Sequence, residues 1–193
     1  MQKGCYISTI LRANQTVFTF KDIILLWGKG DVSTATVRVN YYVKKGELYR
    51  IRRGIYAKDK NFNKLELATK IFTPAYVSFE SVLAKAGVIF QFYSQIFVAS
   101  YQTKELVCDG QAYAFKKIKN GILLNQTGIE NKGCYFEAGR ERAFLDVLYL
   151  NKDYHFDNLS LINWEKVFEI LPIYKNKRMT TMVMEYYKGT KRG

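Results

Sequence analysis

Residues 33–57 read STATVRVNYYVKKGELYRIRRGIYA, and the change of period inside this stretch decides the fold. Ala35, Val39, Tyr42 and Val43 recur at helical spacing and are expected to face a core. Thr34, Arg38, Tyr41 and Lys45 fall at i, i+4, i+7 and i+11 and are expected to line the opposite face. Ser33 is the expected N-cap, since its hydroxyl can satisfy an orphan helix N–H. Gly46 is the expected stop, as a residue that tolerates positive φ. The period then shortens to two. Leu48, Arg50 and Arg52 fall on one side of a strand and Tyr49 and Ile51 on the other. Arg53-Gly54 sits where a hairpin turns, and Ile55-Tyr56-Ala57 returns. A helix with a cationic outer face followed by an arginine-tipped hairpin is how a winged helix-turn-helix meets DNA. The helix fits the major groove and the wing reaches the backbone or minor groove.

Upstream, Lys3 to Ala13 carries Tyr6, Ile7, Ile10 and Leu11 at helical spacing, and Val17 to Phe20 is a short β-branched and aromatic run. Lys21 to Trp27 follows, with Ile23, Ile24, Leu26 and Trp27 as its apolar residues, and Gly28-Lys29-Gly30-Asp31 is a turn. The order helix, strand, helix, turn, helix, hairpin is the winged-helix order. Residues 1–58 are therefore expected to form that domain. Residues 59–63 are polar and read as a linker. Residues 64–193 are expected to form a mixed α+β domain with a helical, basic end, so that the whole chain is α+β.

In that second part Lys64 to Phe72 reads as a helix with Leu65, Ala68, Ile71 and Phe72 on its apolar side, stopped by Pro74. Tyr76-Val77 is extended, and Ser81 to Ala86 is a helix ended by Gly87. Strands are expected at Gln95–Tyr101, Glu105–Cys108, Gln111–Lys117, Gly121–Leu124 and Cys134–Glu137, with Asp109-Gly110 as a two-residue hairpin turn. Helices are expected at Ala138–Leu150, Asn163–Ile170 and Asn176–Tyr187, before a basic, fraying tail from Lys188.

The net charge is +13, and its distribution carries more than its size. Residues 1–60 hold 12 Lys and Arg against 4 Asp and Glu, residues 61–173 hold 12 against 12, and residues 174–193 hold 6 against 1. Positive charge concentrated at the ends points to a polyanion, because phosphate neutralisation dominates nucleic-acid affinity. Cys5, Cys108 and Cys134 are odd in number and widely spaced. This argues against a disulfide framework or a zinc site and fits a reducing cytoplasm, with each thiol read as a small buried hydrophobe. Met1 to Arg12 lacks the apolar run of a signal peptide, and no stretch reaches membrane-spanning length.

The residues expected to touch DNA are Ser33, Thr34, Thr36, Arg38, Tyr41, Lys44, Lys45, Arg50, Arg52 and Arg53. Arg38 is the candidate for a bidentate bond to guanine, Tyr41, Lys44 and Lys45 for phosphate, and Arg52 and Arg53 for the wing tip. The tail cations Lys175, Lys177, Arg178, Lys188, Lys191 and Arg192 add backbone affinity or form a solvated helix face. Arg142 and Asp146, four apart on one helix, are read as a structural ion pair. Enzyme chemistry finds little support. His155 is the only histidine, there is no glycine-rich phosphate loop, and Asp109, Glu137 and Glu141 would serve a nuclease only by converging in space. No metal or other cofactor is expected.

The segment Leu48-Tyr49-Arg50-Ile51-Arg52-Arg53-Gly54-Ile55-Tyr56 resembles the wing of the AbiEi-type antitoxin family. Tyr76-Val77-Ser78-Phe79-Glu80-Ser81-Val82-Leu83 with Gly87-Val88-Ile89, and Glu141-Arg142-Ala143-Phe144-Leu145-Asp146, resemble two further segments of that family in the same order. Together they cover roughly residues 15–150, and the basic tail after Tyr174 departs from the pattern. The resemblance implies an antitoxin of an abortive-infection, type IV toxin–antitoxin system. Its N-terminal winged helix would bind and repress its own operon, and its C-terminal domain would support antitoxin action. The partner toxin would be nucleotidyltransferase-like, and its effect would be countered without a stable complex being required. Two other readings stand beside it: an interaction protein that neutralises a toxin directly through residues 64–193, and a nuclease.

Overall fold

A computed structural model of the chain describes residues 5–28 and 31–191. The start of the first expected helix at Lys3, the Lys29-Gly30 part of the turn, the end of the tail at Arg192-Gly193 and the side chain of Cys5 lie outside the described residues. The N-terminal elements are α1 (Cys5–Arg12), β1 (Val17–Thr19), α2 (Phe20–Leu26), α3 (Val32–Lys44), β2 (Tyr49–Arg52) and β3 (Ile55–Ala57). The strands form an antiparallel sheet in the order β1-β3-β2, with Val17 and Tyr49 both opposite Ala57. This arrangement is compatible with a winged helix-turn-helix.

Local chemistry explains the helix ends. Thr19 and Asp22 form a capping box at α2, each side chain accepting the other's backbone N–H at 3.1 and 2.9 Å. At α3 the cap is Asp31, not Ser33: the Asp31 carboxylate accepts the Thr34 N–H at 2.9 Å and also the Ser33 and Thr34 hydroxyls. Both residues suit an N-cap, and the charged acceptor prevails because it makes stronger hydrogen bonds and complements the helix dipole. Gly46, at φ +72°, ends α3. Its N–H donates to the Val43 carbonyl at 3.1 Å and the Glu47 N–H to the Tyr42 carbonyl at 3.0 Å, which closes the last turn.

Ile10, Phe18, Ile23, Trp27, Ala35, Val39, Tyr42, Leu48 and Tyr56 form the core of this part. Leu11 and Leu26, expected inside, lie on the surface at 51% and 36% exposure.

The remaining elements are α4 (Lys64–Ile71), β4 (Ala75–Val77), α5 (Glu80–Lys85), β5 (Ile96–Ser100), β6 (Lys104–Cys108), β7 (Gln111–Lys117), α6 (Asn120–Leu123), β8 (Ile129–Asn131), β9 (Phe136–Ala138), α7 (Arg140–Leu150), α8 (Trp164–Ile170) and α9 (Lys177–Thr190). They build a six-stranded mixed sheet in the order β6-β7-β5-β4-β9-β8, parallel at β7-β5 and β4-β9. The chain is α+β, as its pattern indicates. Asp109 and Gly110 take φ of 51° and 74° at the β6–β7 turn, as a tight hairpin requires.

The strand expected at Gly121–Leu124 is instead the short helix α6. Ile122 and Leu123 are both buried while Leu124 is exposed, a pattern without alternation. The Ile122 carbonyl at the end of α6 accepts a 2.8 Å hydrogen bond from Arg142, a tertiary contact that the local pattern does not announce. The strand expected from Cys134 starts at Phe136, and its partner β8 was not anticipated. On α4, Leu67 and Ala68 are fully buried, whereas Leu65, Ile71 and Phe72 are half-buried. α9 continues to Thr190, so the tail expected to fray from Lys188 is helical through Thr190. Cys108 is buried, and Cys134 is partly exposed.

Arg142 and Asp146 are the polar centre of the larger core. Both are fully buried, 3.4 Å apart from Nε to Oδ1. Asp146 also accepts the hydroxyls of Tyr174 (2.6 Å), Ser78 (2.7 Å) and Tyr76 (3.0 Å). Arg142 donates to the carbonyls of Thr127 and Ile122, each at 2.8 Å, and to the Tyr76 hydroxyl at 3.0 Å. Burial raises the Tyr76 and Tyr174 hydroxyls well above their ordinary range, so both remain protonated donors. The pair ties α7 to α6, β4 and the turn before α9, the structural role expected of it.

Candidate nucleic-acid interface

Successive α3 residues turn by about 100°, so the face opposite Ala35, Val39 and Tyr42 is centred on Ser33, Val37, Asn40 and Lys44. Ser33, Val37 and Asn40 are exposed, Val37 reaching 71%, and Lys44 is half-buried. The stripe Thr34, Arg38, Tyr41 and Lys45, expected to face straight out, lies to one side, toward α1. The Arg38 guanidinium stacks on the Tyr6 ring of α1 at 3.8 Å and is half-buried there. Tyr41 packs edge-on against Tyr42 at 5.5 Å, and Lys45 sits 4.9 Å over the Tyr41 ring. An open groove of about 770 Å³ separates α1 from α3, with Ile7 on one wall and Thr34, Arg38 and Tyr41 on the other.

The hydroxyl donors at the start of α3 are already used. Ser33 and Thr34 donate to Asp31, and Thr36 donates to the Val32 carbonyl at 2.8 Å. These three side chains therefore offer lone pairs, not protons, to a ligand. Hydrogen bonds from Ser33 and then Thr34 hold the Asp31 carboxyl well below the usual range, at about 2.

The wing follows its expected alternation from Tyr49 onward, whereas Leu48, expected on the side of Arg50 and Arg52, precedes β2 and is buried in the core. Tyr49 and Ile51 are half-buried while Arg50 and Arg52 are exposed, and Arg53 is exposed at the turn. The register shifts between Arg50 and Arg52, a bulge that twists the tip. Gly54, at φ +78°, closes the turn. Among the described residues, none of Arg50, Arg52 and Arg53 has a salt-bridge partner. The structure thus leaves the wing arginines and Lys45 exposed, Lys44 half-buried, and turns Arg38 aside.

Polar contacts fasten this surface to the rest of the molecule. The Tyr49 hydroxyl donates to Asp109 at 2.7 Å, and Lys64 reaches the same carboxylate at 3.0 Å, lowering its pKa. The buried Glu66 accepts both the backbone N–H and the hydroxyl of Thr16, at 2.9 and 2.7 Å. Lys70 pairs with Asp22 at 2.7 Å. Phe62, within the segment read as a linker, is buried and stacked on Tyr49 at 6.3 Å, and Asn63 caps α4.

The other candidate residues are dispersed. Asp109 lies at the β6–β7 turn and Glu137 on β9, with β7, β5 and β4 between. Glu137 pairs with Lys85, and Glu141 with Arg140 and the Asn163 N–H. His155 is 88% exposed, 3.7 Å from Asp157. Among the described residues no three His, Cys, Asp or Glu side chains are placed to hold a metal ion. Arg178 donates to the Leu148 and Tyr149 carbonyls at the end of α7, and Lys191 lies over the Tyr187 ring at 4.6 Å, so these tail cations have structural partners.

Residues 7–57 match the family of AbiEi antitoxin transcriptional regulators. The matched span runs from α1 to the end of β3, so it contains the outward face of α3 and the whole wing. It agrees with the resemblance read in the wing residues. The matched family is described as transcriptional regulators, and the matched span is the part of the chain that carries the exposed wing arginines. No curated protein is similar enough to the chain to count as a match. Among the described residues, no helix is long and apolar enough to cross a membrane. Val37 and Asn40 are the outward residues that sequence reasoning passed over. The signal was present in the phase of the helix, which puts them opposite Ala35 and Val39.

Proposed function

We propose that the chain is a cytoplasmic DNA-binding antitoxin of a type IV toxin–antitoxin, abortive-infection system. In this reading it represses its own operon through residues 1–58 and counters a nucleotidyltransferase-like toxin, with no stable complex required. Residues 64–193 carry the antitoxin role, and the chain has no catalytic activity of its own. The observation that supports this best is the exposed arginine hairpin, without an ion-pair partner among the described residues, inside the span that matches an antitoxin regulator family. The chemistry is binding: the wing and Lys44 neutralise phosphates while α3 lies in the major groove.

Binding of the full chain to DNA from upstream of its own gene, against random DNA over a range of salt, tests the repressor half. Selective binding with a steep salt slope is the expected result; weak, unselective binding refutes it. Rescue of growth when the chain is expressed with the neighbouring toxin tests the other half. A second reading, direct toxin binding through residues 64–193, draws on the exposed Phe90 and Phe92, at 72% and 89%, in the loop before β5. Co-purification of the two proteins as a stable complex would favour it.

A further inference from the structure

We propose that α3 reads a thymine and a neighbouring adenine, with the Val37 side chain against the thymine methyl and the Asn40 carboxamide on the adenine edge. This deepens the reading of α3 as the recognition helix and rests on it. The argument runs through what each outward side chain still has to offer. Ser33, Thr34 and Thr36 have committed their hydroxyl protons within the helix terminus. None of them can donate to the acceptors N7 and O6 of guanine or O4 of thymine without breaking those bonds. Arg38, the side chain suited to guanine, is stacked on Tyr6 and turned toward α1. Lys44 stands three turns along from Ser33, at the end of the helix, where it meets backbone.

Two groups are left over the bases. Val37 is an apolar side chain 71% exposed in the middle of a polar row, and an apolar contact in the major groove selects the thymine C5-methyl. Asn40 is exposed, has no side-chain hydrogen-bond partner among the described residues, and carries the donor and acceptor that adenine N7 and N6 require. The two lie three residues apart, about 4.5 Å along the helix. That separation, on one exposed face, is short enough for the two side chains to reach neighbouring base pairs about 3.4 Å apart.

The test uses the full chain and a pool of duplexes with a randomised centre, selected by binding. The expected site holds thymine next to adenine. Replacing that thymine by deoxyuridine is expected to weaken binding by about threefold to fivefold, the worth of one buried methyl, and to leave Val37→Ala unaffected. Asn40→Ala is expected to relax the adenine preference by about tenfold or more. Both substitutions are at exposed positions, and the deoxyuridine probe needs no variant at all. A selected site with guanine under α3, relaxed by Arg38→Ala and indifferent to deoxyuridine, overturns the base assignment while leaving the recognition helix in place. A pool that emerges unenriched overturns both.

Discussion

Replacing Arg52 and Arg53 by alanine probes the wing with a magnitude that follows from its geometry. Both guanidinium groups are exposed and without an ion-pair partner among the described residues, so neither has an ion pair to lose. Each phosphate contact steepens the fall of log K with log salt by about 0.9, so losing two flattens it by roughly 1.8. Between 50 and 200 mM salt the wild type should then lose about twelvefold more affinity than the variant. Fluorescence anisotropy with a labelled duplex at four or five salt concentrations measures both slopes. The two arginines are not equivalent. Arg52 is the last residue of β2, whereas Arg53 stands exposed in the turn itself. A slope change of about 0.9, carried by Arg53→Ala alone, would mean that only the tip touches backbone. Parallel lines for wild type and double variant would refute the wing assignment, whatever the absolute affinity.

Arg142→Met removes the cation from a fully buried pair and strands the Asp146 carboxyl; it should cost about 3–5 kcal/mol, read from the urea midpoint, and an unchanged midpoint would show the pair to be dispensable. Thr16→Val deletes the hydroxyl that donates to buried Glu66 and accepts from the Asn63 N–H. The expected loss is about 1–3 kcal/mol, and a neutral effect would mean that Glu66 finds another donor. The Asp31 carboxyl, held at about 2 against an ordinary 3.8, has a depressed folded-state pKa. Its capping contribution is therefore complete above about pH 4 and lost as pH falls through about 2; NMR titration of the carboxyl carbon should give that low midpoint, and a midpoint near the ordinary value would remove the Ser33 and Thr34 hydrogen bonds from the account.

The legible parts of this chain are those whose cause is local. Helical spacing, the glycine at position 46 and the two-residue alternation of the wing all act within a few residues, and the folded α3, β2 and β3 follow them. The misses share a different cause. Asp31 and Ser33 are both good caps, and only the competition between a carboxylate and a hydroxyl decides between them. The outward face of α3 depends on where α1 packs: Arg38 looks free along the sequence and becomes half-buried because Tyr6 arrives from another element. α6 looks like a strand until Arg142, twenty residues on, donates to its Ile122 carbonyl. Phe62 sits in a polar segment, and its burial comes from Tyr49 of the wing. The spacing of Arg142 and Asp146 announces an ion pair, but not the ring of tyrosine and serine hydroxyls around it.

The wing sheet belongs to two cores at once. Phe18 and Tyr56 point into the smaller one beneath α3, whereas Val17, Ile55 and Ala57, on the same two strands, point into the larger one with Leu67 and Tyr113. Alternation along β1 and β3 makes this unavoidable, because consecutive side chains leave a strand on opposite faces. A sheet buried on both sides cannot turn relative to either layer without exposing one of them. The polar contacts lie around the same junction: Thr16 with Glu66 beside β1, Lys70 with Asp22 at α2, and Tyr49 with Asp109 and Lys64 at the base of the wing. The short connection through residues 59–63 therefore works as a splice between layers, with Phe62 inserted into the larger core. If residues 1–58 read DNA and residues 64–193 act on the toxin side, the two roles are carried by bodies that share a sheet. The Tyr49 hydroxyl on Asp109 ties the β6–β7 hairpin directly to the strand that bears the wing arginines.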